Sequence, residues 1–164
     1  MLPSRAPWTA CVLPSITLRT TLIAGFPGET EEDFAELCDF VKEMQFDRLG
    51  CFSYSAEERT VAARMPNQIP EEIKQKRAEI VMDVQTGIMA AKQAARVGQT
   101  LECICDGIDE ESGLYLLRTK ADCPEIDGNV CVDSEEPLYP GAFYEVKITD
   151  SDLYDLYGEV VKQI

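Results

Sequence analysis

Residues 20–33 read T-T-L-I-A-G-F-P-G-E-T-E-E-D, and the fold of the chain's first half turns on this stretch. Leu22, Ile23 and Ala24 form a short uncharged apolar run, which predicts a strand buried on both faces. Gly25, Pro27 and Gly28 then punctuate sharply, since glycine permits positive φ and proline fixes φ. Thr30 with Asp33 three residues later marks a capping-box helix start, and Glu29, Glu31 and Glu32 sit where the helix dipole favours negative charge. A strand running through a tight turn into a capped helix is a βα turn, the place where ligands of α/β proteins collect. The competing reading is an ordinary connection. The stretch has neither the Lys-Ser/Thr pair of a Walker loop nor a G-x-G-x-x-G fingerprint.

Working outward, residues 31–45 predict a helix whose apolar face is Phe34, Leu37, Cys38, Val41 and Met44, with Phe40 at its margin. A strand is expected over 16–24 and a second over 48–54. The strand–helix–strand order makes these two parallel. Residues 55–69 have no clear period and read as a loop at the mouth of a barrel, which places Tyr54, Ser55 and Glu57 near that mouth. Pro70 opens a long helix that ends before Gly98, with Ile73, Ile80, Val81, Val84, Ile88, Ala91 and Ala95 as its expected buried stripe and Gly87 in its interior. Residues 1–13 carry no periodicity. They read as an unstructured or foreign leader, as in a truncated or mis-started gene product.

After Gly98 the texture changes to short strands separated by turn signals at 109–113, Asp127-Gly128 and Pro140-Gly141. Five strands are expected, over 99–106, 113–121, 128–133, 142–149 and 155–162, and that number suits a small OB-like barrel. The predicted fold is thus an α/β partial (βα) barrel segment over 14–97, ending in the long linking helix, followed by an all-β five-stranded barrel over 98–164.

The 164 residues hold 30 acids and 15 bases, a net charge of −15. Residues 1–97 carry 14 acids and 11 bases, whereas residues 98–164 carry 16 acids and 4 bases, a net of −12. So anionic a second half argues against binding a phosphate backbone and for a basic partner, or simply for solubility. Seven cysteines occur with no histidine, and none lies in a C-x-x-C or C-x-x-x-C-x-x-C run. Cys38 reads as a core hydrophobe, and Cys103 and Cys105 share one face of a strand. The odd count, the lack of a secretory signal and the lack of a transmembrane-length run predict a soluble cytoplasmic protein with free thiols.

The segments L-R-T-T-L-I-A-G-F-P-G-E-T-E-E-D-F, F-D-R-L-G-C-F-S-Y-S-A-E-E-R-T, R-T-K-A-D-C-P-E-I-D-G-N-V and Y-D-L-Y-G-E-V occur in that order and together resemble the radical-SAM methylthiotransferases. Among them the match is nearest to the RimO type, which modifies an aspartate β-carbon of ribosomal protein S twelve. The resemblance implies a TRAM domain for the second half, S-adenosylmethionine and 4Fe-4S clusters as cofactors, and a basic ribosomal protein as substrate. The MiaB-type relatives act on tRNA, and a tRNA substrate is the weaker alternative for so acidic a barrel. A stand-alone acidic binding module without turnover is another. The resemblance makes Gly25, Phe26, Pro27, Gly28 and Glu29 candidates for the S-adenosylmethionine pocket. It likewise makes Arg118, Thr119, Asp122, Glu125 and Asp127 candidates for substrate recognition, against a reading of Asp127 as a turn residue and Arg118 as half of a surface ion pair. Tyr154 and Tyr157 read as half-buried strand aromatics.

The departures from the family pattern carry weight too. The cluster-binding cysteines are absent, so no catalytic or metal-ligating residue is assigned, and the chain is expected to be inactive alone, with a complementing N-terminal part as a possible partner. Arg59 stands where the family's E-E-G-T loop has glycine.

Overall fold

The computed structural model describes residues 16–164, so the expectation for residues 1–13 lies outside the described residues. The chain divides into two compact units after Ile88.

The first unit contains β1 (Arg19–Ala24), α1 (Glu31–Met44), β2 (Arg48–Ser53), a single 3-10 turn at Ala62–Arg64 and most of α2 (Glu71–Ala94). β1 and β2 pair in parallel, with Arg19 opposite Arg48 and Ala24 opposite Ser53. The capping box at the start of α1 is complete. Thr30 Oγ1 accepts from the Asp33 N–H at 3.1 Å, and Asp33 Oδ2 accepts from the Thr30 N–H at 2.9 Å. The Thr30 N–H and then its hydroxyl, both donating to Asp33 Oδ2, favour the charged carboxylate and hold the Asp33 pKa below its ordinary value. The helix stops at Gln45, which takes a left-handed conformation at φ 50°.

The core of this unit gathers Phe34, Cys38 and Val41 of α1, Phe46, Leu49 of β2, and Val81 and Ile88 of α2, with Leu18 and Leu22 packed against it. The expected two-sided burial of β1 is not what forms. Ala24 is buried and Leu22 joins the core, but Ile23 is 57% exposed and Phe52 of β2 is 64% exposed. The helices cover one face of the two-stranded sheet, so the strands alternate instead of being apolar throughout.

The long helix departs further from expectation. Val81 and Ile88 are buried as expected, yet Ile73 is 41% exposed and Ala91 and Ala95 face solvent. Lys74, Arg77 and Gln85 take the buried positions instead. Each finds a polar partner: Lys74 Nζ donates to the Tyr54 carbonyl, Gln85 Nε2 to the Phe46 carbonyl, and Arg77 to two glutamates. Buried polar groups are tolerated when so partnered.

The second unit is a closed barrel of β3 (Thr100–Ile108), β4 (Tyr115–Thr119), β5 (Val130–Val132), β6 (Phe143–Ser151) and β7 (Leu156–Gln163), ordered β3-β4-β5-β7-β6. The β5–β7 pair is parallel and the other four are antiparallel. Closure leaves no strand edge open. Its core holds Leu117, Val130, Val132, Leu138, Tyr144, Val146, Ile148 and Leu156, with Cys103 and Cys105 on the shared inward face that their spacing predicts. β5 is only three residues long, and the chain just before it packs closely on the segment leading into β7. A Cβ on Gly128 would lie 2.0 Å from the Tyr154 carbonyl oxygen, and the Asn129 N–H donates to Asp155 Oδ1 at 2.6 Å. The glycine of the Asp127-Gly128 pair therefore permits close approach of two backbones.

Candidate functional site

The β1–α1 turn is built on two left-handed glycines, Gly25 at φ 79° and Gly28 at φ 88°. The Glu29 N–H closes the turn onto the Phe26 carbonyl at 2.9 Å, and the Gly28 N–H donates to the Asn67 carbonyl at 3.0 Å, tying the turn to the loop after β2. Glu29 folds back over the turn. Both its carboxylate oxygens accept from the Gly25 N–H, at 3.1 and 3.0 Å. Arg77 of α2 completes the arrangement: Nη1 reaches Glu29 Oε1 at 2.7 Å and Nη2 reaches Glu31 Oε1 at 2.6 Å, while the guanidinium lies 5.3 Å from the centre of the Phe34 ring.

Gly25 is close-packed, since a Cβ there would sit 2.3 Å from Lys74 Cγ, whereas a Cβ on Gly28 would meet open space. Pro27 is buried and Phe26 is 43% exposed, its ring edge-on to Tyr54 at 5.2 Å. Tyr54 is 7% exposed and its hydroxyl has no hydrogen-bond partner among the described residues. Of the five residues assigned to this turn, Phe26 and Gly28 thus face open space, Gly25 and Pro27 shape the backbone, and Glu29 braces the turn. Ser55 and Glu57 lie exposed on the following loop. Arg59 is left-handed at φ 71°, the conformation a glycine adopts without strain, so the loop keeps the backbone shape that glycine would favour there.

In the barrel, of the five residues assigned around the R-T-K-A-D-C-P-E-I-D-G stretch, Thr119 and Asp122 bond each other, while Arg118, Glu125 and Asp127 have other surroundings. Arg118 Nε lies 2.9 Å from Asp106 Oδ2 across the β3–β4 ladder. Asp122 Oδ2 accepts from the Thr119 hydroxyl at 2.6 Å and from its N–H at 3.1 Å, and Asp127 Oδ2 accepts from the Cys123 N–H at 2.6 Å. Those carboxylates shape the β4–β5 loop. Glu125, left-handed at φ 61°, stands exposed at its tip beside Ile126, which is 74% exposed. Tyr154 is 60% exposed, and the Tyr157 hydroxyl donates to Asp152 Oδ2 at 3.1 Å.

Among the described residues no three histidine, cysteine or acidic side chains are grouped so as to hold a metal ion. Burial pushes the Cys103 thiol up to about 12 and, helped by the charges of Asp155, Asp152 and Asp109, the Cys131 thiol up to about 11. An iron–sulfur cluster is held by several cysteine thiolates brought together, and the described cysteines are not so grouped.

Two features escaped the sequence. The polar bridge from α2 to the turn was hidden because Lys74 and Arg77 look like the solvated face of a helix. The second feature is a cavity of about 540 Å³ between the β5–β6 loop and the end of β7, lined by Asp133, Glu135, Glu136, Tyr139, Tyr144 and Glu159, among others. Its only local signal is the acidic run D-S-E-E at 133–136.

A TRAM domain matches residues 97–161, within the second unit. The chain is 50% identical over 146 residues to the ribosomal protein uS12 methylthiotransferase RimO of Bordetella pertussis, covering 89% of this chain and 33% of that protein. It is 47% identical over 151 residues to the RimO of Acinetobacter baumannii, covering 91% and 34%, and 48% identical over 148 residues to that of Chromobacterium violaceum, covering 90% and 34%. The chain therefore spans about a third of the length of the RimO relatives it matches.

Proposed function

From this correspondence we propose that the chain supplies the substrate-holding part of a uS12 methylthiotransferase: an acidic barrel that docks a basic ribosomal protein, next in sequence to a (βα) barrel segment whose first turn lines part of an S-adenosylmethionine pocket. The observation that carries the reading is charge. The barrel region, residues 98–164, has a net charge of −12. Of its four basic residues, Arg118 is paired with Asp106 and Lys162 with Glu145. A surface so short of free cations suits a basic protein and is ill-suited to a phosphate backbone.

S-adenosylmethionine, when bound, supplies the radical-forming sulfonium in the family. Phe26 would pack on it and Gly28 would let it approach the backbone. Glu29 and Arg77 would hold the turn rigid for it. Cluster chemistry has no ligands among the described residues, and the whole sequence holds no C-x-x-x-C-x-x-C run, so we assign no reaction step to this chain.

Titration of fluorescently labelled uS12 and of bulk tRNA with the full chain tests the reading. Binding to uS12 that weakens as salt rises, with none to tRNA, is expected. A preference for tRNA would transfer the chain to the MiaB-type role.

A further inference from the structure

We propose that the groove between the β5–β6 loop and the end of β7 receives an extended segment of the basic partner, seating a lysine or arginine side chain over Tyr139 among Glu135, Glu136 and Glu159. The inference rests on the reading of the barrel as a dock for a basic protein, and it names where on the barrel docking occurs.

Three independent observations meet there. The groove is concave, about 540 Å³, large enough for a long side chain and the backbone that carries it. Four carboxylates line it, from Asp133, Glu135, Glu136 and Glu159, and none of them is in an ion pair among the described residues. Its one cation, Lys162, is already paired with Glu145 at 3.2 Å. The site therefore has unmet negative charge beside an exposed aromatic face, since Tyr139 is 60% exposed, and an aromatic face attracts a cation.

The third observation concerns Tyr144, which lines the groove with only 3% of its surface exposed. Its hydroxyl accepts from the Tyr139 N–H at 2.9 Å, and its own proton has no acceptor among the described residues. A tyrosine hydroxyl both donates and accepts, so this proton is available to an acceptor laid in the groove. A peptide carbonyl laid along the groove supplies that acceptor while the adjacent side chain meets the carboxylates. A peptide offers both groups together; a lone cation offers only one.

Residue-resolved NMR of the full ¹⁵N-labelled chain, titrated with a short lysine- and arginine-rich peptide and then with uS12, tests the assignment. Shift changes concentrated at 133–139 and 159–163 are expected. Glu136→Gln with Glu159→Gln should weaken binding about tenfold, while Glu110→Gln with Glu111→Gln, which removes the same charge from the β3–β4 loop, should leave it within about twofold. Tyr144→Phe, which keeps the ring packed, should also weaken peptide binding. Equal loss from both double variants, or shift changes centred on other loops, would overturn the groove while leaving the basic-partner reading standing. Failure of the unaltered chain to bind either probe would overturn that reading, and the groove with it.

Discussion

Arg77 shows how one residue sets the geometry of the candidate cofactor turn. Its side chain is 6% exposed and bridges Glu29, itself 12% exposed, to Glu31 at the start of α1. Removing one partner of a buried ion pair leaves the other charge without compensation, at a cost of about 3–5 kcal/mol. Arg77→Met is therefore expected to lower the stability of the first unit by about 3 kcal/mol, read as a shift of its urea midpoint. Arg77→Lys should fall between, because an ammonium cannot reproduce the fork that reaches both glutamates. A change under about 0.5 kcal/mol, ordinary for a surface substitution, would contradict the bridge. The buried thiols belong to the same scale. Cys103, 1% exposed in the barrel core, is a small core hydrophobe whose thiol burial raises to about 12.

At the scale of elements, α2 divides what could be read in advance from what could not. Its start after Pro70 and its acidic first turn are local signals, and both formed as expected. Its buried face is a tertiary property. Lys74, Arg77 and Gln85 are buried because a carbonyl or carboxylate from a distant segment waits for each, and no window of helix sequence contains that information. The same reasoning covers β1, whose apolar run implied two covered faces while the described helices cover one. By contrast, the capping box, the parallel β1–β2 pair and the five barrel strands depend on short-range chemistry, and they were legible. The candidate site was legible only as a place. That Gly25 and Glu29 lie at a βα turn follows from spacing; that Glu29 is held by Arg77 does not. Gly87, inside α2, has open space where a Cβ would sit. Gly87→Ala is thus expected to stabilise the helix by about 1 kcal/mol, checked by thermal melting followed by circular dichroism; destabilisation would mean the position is packed.

At the scale of the whole molecule, charge separates the two parts of the chain more sharply than fold does. Residues 1–97 carry a net of −3 and residues 98–164 a net of −12. No helix among the described residues is long and apolar enough to cross a membrane. Acidity alone would be a solubility device, but here it surrounds a closed barrel with a concave, carboxylate-lined groove and few unpaired bases. Relatives about three times as long are named for modifying a ribosomal protein, and the proposed role of this chain is to hold such a protein in place.

The most direct test is zero-length carbodiimide cross-linking of the chain to uS12, with the joined carboxylates mapped by mass spectrometry. The account predicts links from acids within residues 98–164, foremost Glu135, Glu136 and Glu159, to lysines of the ribosomal protein. Links confined to acids of the first unit, or none at all, would contradict it.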